Sequence, residues 1–210
     1  MIKRFAIAMS FLALTVNVAP AGDTKSSAVD RALQQATDGQ TIFAEFLLGA
    51  ASVRETTGQQ ALLARINEWL SANFELARAA ELPKVDYAPA AKIAALRYNG
   101  PVVASSGDTT GSISQSSLEQ STVAIYIDAE KTIYLPDEWS GRSPAELSVL
   151  VHEMVHHMQN LGGSQYECPR AREKLAYAAQ DKFLQMFGRD LAAEFDMNPF
   201  TIFVRSTCAY

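Results

Sequence analysis

The sequence predicts an α+β fold: N-terminal helices, a small sheet containing a hairpin at 123–135, and then two antiparallel helices. Three observations lead there. Apolar residues recur at three- and four-residue spacing through 59–77 and again through 144–159, the period of a helix with one buried face. Two β-rich runs, 123–128 and 131–135, stand two residues apart and end at Pro136, which reads as a hairpin. A third periodic stretch, 169–187, follows after a short break and stops at Gly188. The chain has 210 residues, 48% apolar and 20% charged, a globular composition long enough to bury a core as one domain. Eighteen Lys+Arg against 23 Asp+Glu give a net charge of −5, so there is no basic field for nucleic acid.

The elements follow in order. Residues 1–21 begin with Lys3 and Arg4, continue as an apolar run over 5–18, and end in Ala19-Pro20-Ala21. That is the pattern of a signal peptide cut before Gly22, leaving 22–210 as a single exported domain, periplasmic or secreted. The run falls short of the roughly 20 residues a membrane span needs, so no stable anchor is expected. In an oxidising compartment Cys168 and Cys208 become a candidate disulfide, the alternative being two unpaired thiols. A helix is expected over about 29–51, although Gly39 interrupts it, and a clearer one over 59–77. Residues 85–87, between Pro83 and Pro89, read as a short extended piece, and 90–98 as a short helix closed by Asn99-Gly100-Pro101. Residues 105–122 are rich in Ser, Thr and Gly and read as a loop or irregular edge.

Ser143-Pro144-Ala145-Glu146 combines a capping box with proline at the first helical position. The helix it opens contains His152-Glu153-Met154-Val155-His156, the H-E-x-x-H pattern, and should stop at Gly162-Gly163. His152 and His156 stand about 40° apart and one turn along the axis, so both imidazoles reach one metal ion. Glu153 lies about 100° from His152, placed to hold a water at that metal without ligating it. Chance gives roughly 0.002 such patterns in a chain of this composition. His157 points about 140° from His152 and is a poor ligand to the same ion; it is expected to hydrogen-bond the ligands from behind or to pack with its polar end satisfied.

All three histidines of the chain lie in this helix, so a third ligand must be a carboxylate or, less readily, Cys168. If residues 161–168 reverse the chain, Glu173 comes level with His156 across the helix pair. Glu167 in the turn is the alternative, and Asp181 lies two turns further on. Glu173 could also be an ordinary exposed carboxylate between Arg172 and Lys174. Tyr177 and Gln180 share its face, either as donors to the ligands and a developing oxyanion or as core.

With His152–Gln159 followed by Glu173 and Tyr177, the chain resembles the gluzincin-type zincin metallopeptidases. It is also similar to short exported bacterial proteins with an HELVHHLQ-like helix and a later E-x-x-A-Y-x-x-Q helix, here Glu173 to Gln180. The resemblance covers roughly residues 120–188. It implies Zn2+ held by His152, His156 and Glu173, with Glu153 as general base and a strand edge above the active-site helix to receive a peptide. The spacing to the glutamate is short for large gluzincins. The leading expectation is therefore zinc-dependent hydrolysis of a peptide or amide bond, with Tyr177 as a further catalytic candidate. The rivals are a non-catalytic exported metal-binding or interaction protein on the same scaffold, and a helical protein with no metal.

Overall fold

The computed structural model describes Thr41, residues 56–97 and residues 124–208. The expected signal peptide over 1–21, the expected helix over 29–51 apart from Thr41, and the expected loop over 105–122 lie outside the described residues. Helix α1 (Thr56–Asn73) leads to strand β1 (Lys84–Ala88) and the short helix α2 (Ala90–Arg97). Strands β2 (Ile125–Ile127) and β3 (Thr132–Pro136) precede helix α3 (Pro144–Leu161). A 3-10 turn (Pro169–Arg172) then runs into α4 (Glu173–Gln185), followed by α5 (Leu191–Phe195) and α6 (Pro199–Ser206). The described residues thus form an α+β arrangement of six α-helices and one three-stranded mixed sheet.

Helix α1 ends at Asn73 rather than at 77. Phe74 N still bonds Leu70 O at 2.9 Å, but Leu76 N turns to Phe74 O at 2.7 Å and the helical ladder stops, while the Asn73 side chain bonds the Trp69 carbonyl at 2.9 Å. The buried Asn67 amide then draws the chain back, accepting from Ala79 N at 3.0 Å and donating to Ala79 O at 2.8 Å. Both halves of that amide are satisfied, which burial demands.

The hairpin forms as expected, with Ile125 opposite Tyr134 and Ile127 opposite Thr132. The extended piece at 85–87 does more than expected. It becomes β1 and pairs with β3 in parallel, Val85 opposite Ile133, so the order is β1-β3-β2. Every residue of β3 is buried, which is the pattern of a strand covered on both faces and paired on both edges. Lys131 takes a positive φ of 49° at the hairpin turn.

The capping box at the head of α3 is complete: Ser143 Oγ accepts from Glu146 N, and the Glu146 carboxylate accepts from Ser143 N. Proline at the first position loses no helical bond. From Leu147 to Gln159 the helix is buried all round, between α1, the sheet and α4. Leu62, Leu63, Ile66 and Leu70 of α1 and Phe183 of α4 share that core with Leu147, Leu150 and Met154. At roughly 1.5–3 kcal/mol for each fully buried large side chain, this packing is what keeps a polar motif inside the protein. The stretch 169–187 is helical but not uniform, since its first turn is 3-10, with Ala171 N bonded to Cys168 O at 3.1 Å. Helices α3 and α4 run antiparallel: Gln159 meets Arg172 at one end, and Ser148 meets Gln180 at the other. Cys168 and Cys208 form a disulfide that fastens the end of α6 to the start of this turn.

Candidate metal centre

His152 and His156 project from one face of α3, one turn apart, and Glu173 faces them from the first turn of α4. His152 Nε2 lies 3.2 Å from His156 Nε2 and 3.1 Å from Glu173 Oε2; His156 Nε2 lies 3.3 Å from Glu173 Oε1. A donor atom from each of the three therefore lies within 4.8 Å of the others. Both imidazoles are buried and the carboxylate is partly exposed.

The protons around these rings are assigned by their neighbours. Gln180 donates its amide N–H to Ser148 Oγ at 3.3 Å, and Ser148 uses its own hydroxyl proton on Ala145 O at 2.7 Å. The Gln180 Oε1 is thereby turned to His152 Nδ1, at 3.1 Å. Gln159 donates to the Arg172 carbonyl at 3.1 Å, which can only accept, and so presents Oε1 to His156 Nδ1, also at 3.1 Å. An amide oxygen accepts and does not donate, so both Nδ1 atoms carry protons. The neutral rings then hold bare lone pairs on Nε2. Two nitrogen lone pairs and a carboxylate meet with no donor among them. Such a cluster repels itself unless a cation stands at its centre, and two imidazoles with one carboxylate are a zinc-type donor set.

A proton on an Nε2 is the alternative cation at this point. Burial opposes ionisation of Glu173, yet the two imidazoles outweigh it and hold the carboxyl well below its usual range. Burial likewise disfavours an imidazolium at His156, and Glu173 more than offsets this, raising its pKa. Proton and metal ion thus compete for the same point.

Glu153 is buried, and its Oε2 accepts the backbone N–H of Tyr126 at 2.8 Å. That N–H belongs to β2, the edge strand beside β3, so the hairpin stands over α3 and anchors one oxygen of Glu153. The carboxylate lines a cavity of about 490 Å³ together with His152, Tyr177 and Gln180. Of the three candidate ligands only His152 reaches this cavity. Tyr177 packs its ring against that of His152, centroids 4.9 Å apart.

His157 has the opposite tautomer. Its Nε2 donates to Glu81 O at 2.7 Å, leaving Nδ1 to accept from the Tyr126 hydroxyl at 3.1 Å. Burial pushes its pKa down. It packs with both nitrogens satisfied and ties the chain before β1 to the hairpin. The other ligand candidates separate from the cluster. Cys168 is in the disulfide, Asp181 Oδ1 accepts from Leu191 N at 2.9 Å, and Glu167 is an exposed residue of the turn.

Sequence reasoning missed Gln159, although its position three residues after His156 on the same helix is a usable signal. It also missed Arg172, which holds both Asp128 oxygens at 2.7 and 3.0 Å and the His156 carbonyl at 3.3 Å. That contact spans 44 residues and has no local signature.

Residues 55–210 match a family described as a domain of unknown function, DUF6647, and the chain belongs to that family. No curated protein and no solved structure matches the chain. No helix among the described residues is long and apolar enough to cross a membrane, and the disulfide is of the kind that persists in oxidising compartments.

Proposed function

We propose that this protein is an exported zinc-dependent hydrolase of peptide or related amide bonds, with the zincin arrangement its motif resembles. The observation that carries the metal is the pair of fixed tautomers, which aims two bare Nε2 atoms at the Glu173 carboxylate. Bound there, zinc supplies Lewis acidity toward a carbonyl and a lowered pKa for water. His152, His156 and Glu173 hold it, while Gln180 and Gln159 keep the rings oriented. Glu153 has one oxygen fixed by Tyr126 N–H and no protein donor described for the other. That second oxygen takes the proton of the attacking water and delivers it to the leaving amine. Tyr177, beside His152 in the cavity, is placed to donate to the oxygen of a bound carbonyl.

One observation favours the non-catalytic alternative. The Tyr126–Glu153 bond also fastens the hairpin to α3, so Glu153 has structural work whether or not it is a base. A Gln at 153 leaves a carbonyl oxygen for Tyr126 N–H and removes only the base. The test is Glu153→Gln in the zinc-loaded protein, measured for metal content and for amine release from a peptide library. Retained zinc with amine release reduced at least about a thousandfold supports the hydrolase. Equal release by the variant and the native protein refutes the mechanism, and stoichiometric zinc with no release by either establishes the non-catalytic reading.

A further inference from the structure

The cavity that Glu153 lines is also lined by two arginines that the proposed hydrolysis does not use. Arg97, at the end of α2, donates through Nη2 to Ala124 O at 2.9 Å, just ahead of β2. Arg205, on α6, contacts Met197 Sδ at 3.8 Å and lies within reach of the Tyr177 hydroxyl. Neither is among the ion pairs of the described residues. Glu153, Glu194 and Asp196 line the same cavity, and none of them forms an ion pair with either arginine. Glu194 is paired with Arg189 at 2.7 Å.

A guanidinium offers five donors in a planar fork that matches a carboxylate. Arg97 spends one on a protein carbonyl, and Arg205 spends one on a thioether, a weak acceptor. Both side chains are exposed, and among the described residues neither has a carboxylate partner, so in a chain of net charge −5 two cations face one cavity with donors to spare. About 490 Å³ is room for a short peptide segment rather than a folded chain. The arginines come from distant positions in the chain and line one cavity because α6 packs back onto α4, through Ile202 against the Tyr177 and Leu184 cluster, and is fastened there by the disulfide.

We infer that Arg97 and Arg205 form an anion subsite that binds a carboxylate of a short peptide substrate, holding it beside Glu153 and Tyr177 with its amide toward His152. This rests on the hydrolase reading for the identity of the substrate, but not for the existence of the subsite. The carboxylate is either the free C-terminus of the peptide or an acidic side chain.

Calorimetric titration of the zinc-loaded full protein separates the two, with three probes: acetyl-trialanine as the free acid, acetyl-trialanine amide, and acetyl-Ala-Glu-Ala amide. One of the acidic probes should bind at least about tenfold more tightly than the neutral amide, the loss expected when charge-assisted bonds are removed. Preference for the free acid identifies a terminal carboxylate, and preference for the Glu peptide an acidic side chain. Arg97→Ala and Arg205→Ala should each reduce that preference to about threefold or less, with zinc content unchanged. Arg97→Lys and Arg205→Lys, which keep the charge and lose the fork, should fall between. Equal binding of all three probes, no binding of any, or a preference that survives in the double alanine variant overturns the subsite. Acid preference without amine release from any peptide keeps the subsite and refutes the hydrolase; amine release without acid preference does the reverse.

Discussion

His156 keeps its Nε2 bare only because Gln159 Oε1 takes the Nδ1 proton at 3.1 Å. Gln159→Leu removes that acceptor at similar volume. A buried Nδ1–H without a partner costs about 1–3 kcal/mol. The ring escapes this by moving its proton to Nε2, where Glu173 Oε1 waits at 3.3 Å. The imidazole then donates to the carboxylate, and the metal position is closed by a hydrogen bond that an ion must break. At about 1.4 kcal/mol per tenfold, the penalty corresponds to zinc binding weakened about 10–100-fold, the range usual for loss of a residue that orients a metal ligand. Gln180→Leu should act in the same way on His152, whose Nε2 is 3.1 Å from Glu173 Oε2. The double variant should lose less than the product of the two, since both act on one ion. Gln180→Glu, which keeps an acceptor for Nδ1, should remain within a few-fold of the native protein. The assay is competition for zinc with a chromophoric chelator, with circular dichroism to establish that each variant is folded. Native affinity in both leucine variants, with the fold intact, would refute the tautomer argument, and no zinc binding by the native protein would refute the metal reading.

Three other outcomes follow from the packing. Cys208→Ser opens a loop of separation 40, which the chain-entropy relation values at about 4 kcal/mol; a calorimetric melting temperature lower by roughly 10 °C is expected, and an unchanged one refutes it. Burial opposes ionisation of Glu146, but N–H groups of Ser140, Arg142 and Ser143 and two hydroxyls outweigh it and lower its pKa. Its charge therefore stabilises the fold above the unfolded-state value near 4.5, and that contribution fades as pH falls through the depressed folded value. Glu146→Gln should cost about 1 kcal/mol at pH 7, discounted for partial exposure, and a progressively smaller amount in urea melts at pH 4 and below; a pH-independent difference would contradict this. Arg172→Lys gives up the two-pronged hold on Asp128 and the bond to His156 O, so amide exchange should quicken in the hairpin turn, and unchanged exchange there counts against the clamp.

Helix α3 was legible because its signals are local. The cap, the Pro at the first position, the His–Glu–His spacing and the apolar surround all lie within eighteen residues, and one turn of helix converts that spacing into geometry. The hairpin was legible for the same reason, since its two partners are nearest neighbours in sequence. The third ligand was only narrowed: counting histidines pointed to a carboxylate, but the choice of Glu173 over Glu167 depends on how α4 is rotated about its axis. That rotation is set by contacts between the helices, Gln159 with Arg172 and Gln180 with Ser148, which spacing alone does not encode.

What the sequence determined by itself is the pair of imidazoles on one helical face, the Glu153 carboxylate between them, and the absence of any histidine outside that helix to serve as third ligand. Tertiary structure decided the rest. It placed β1 in parallel beside β3, gave Glu153 a backbone donor from an edge strand, and chose the tautomer of each ring through glutamines on two helices. It also brought Arg97 and Arg205 to one cavity from positions far apart in the chain. The division has a physical cause. Helical period and capping are properties of neighbouring residues, whereas proton assignment and cavity walls depend on which distant groups packing brings within about 3 Å of one another.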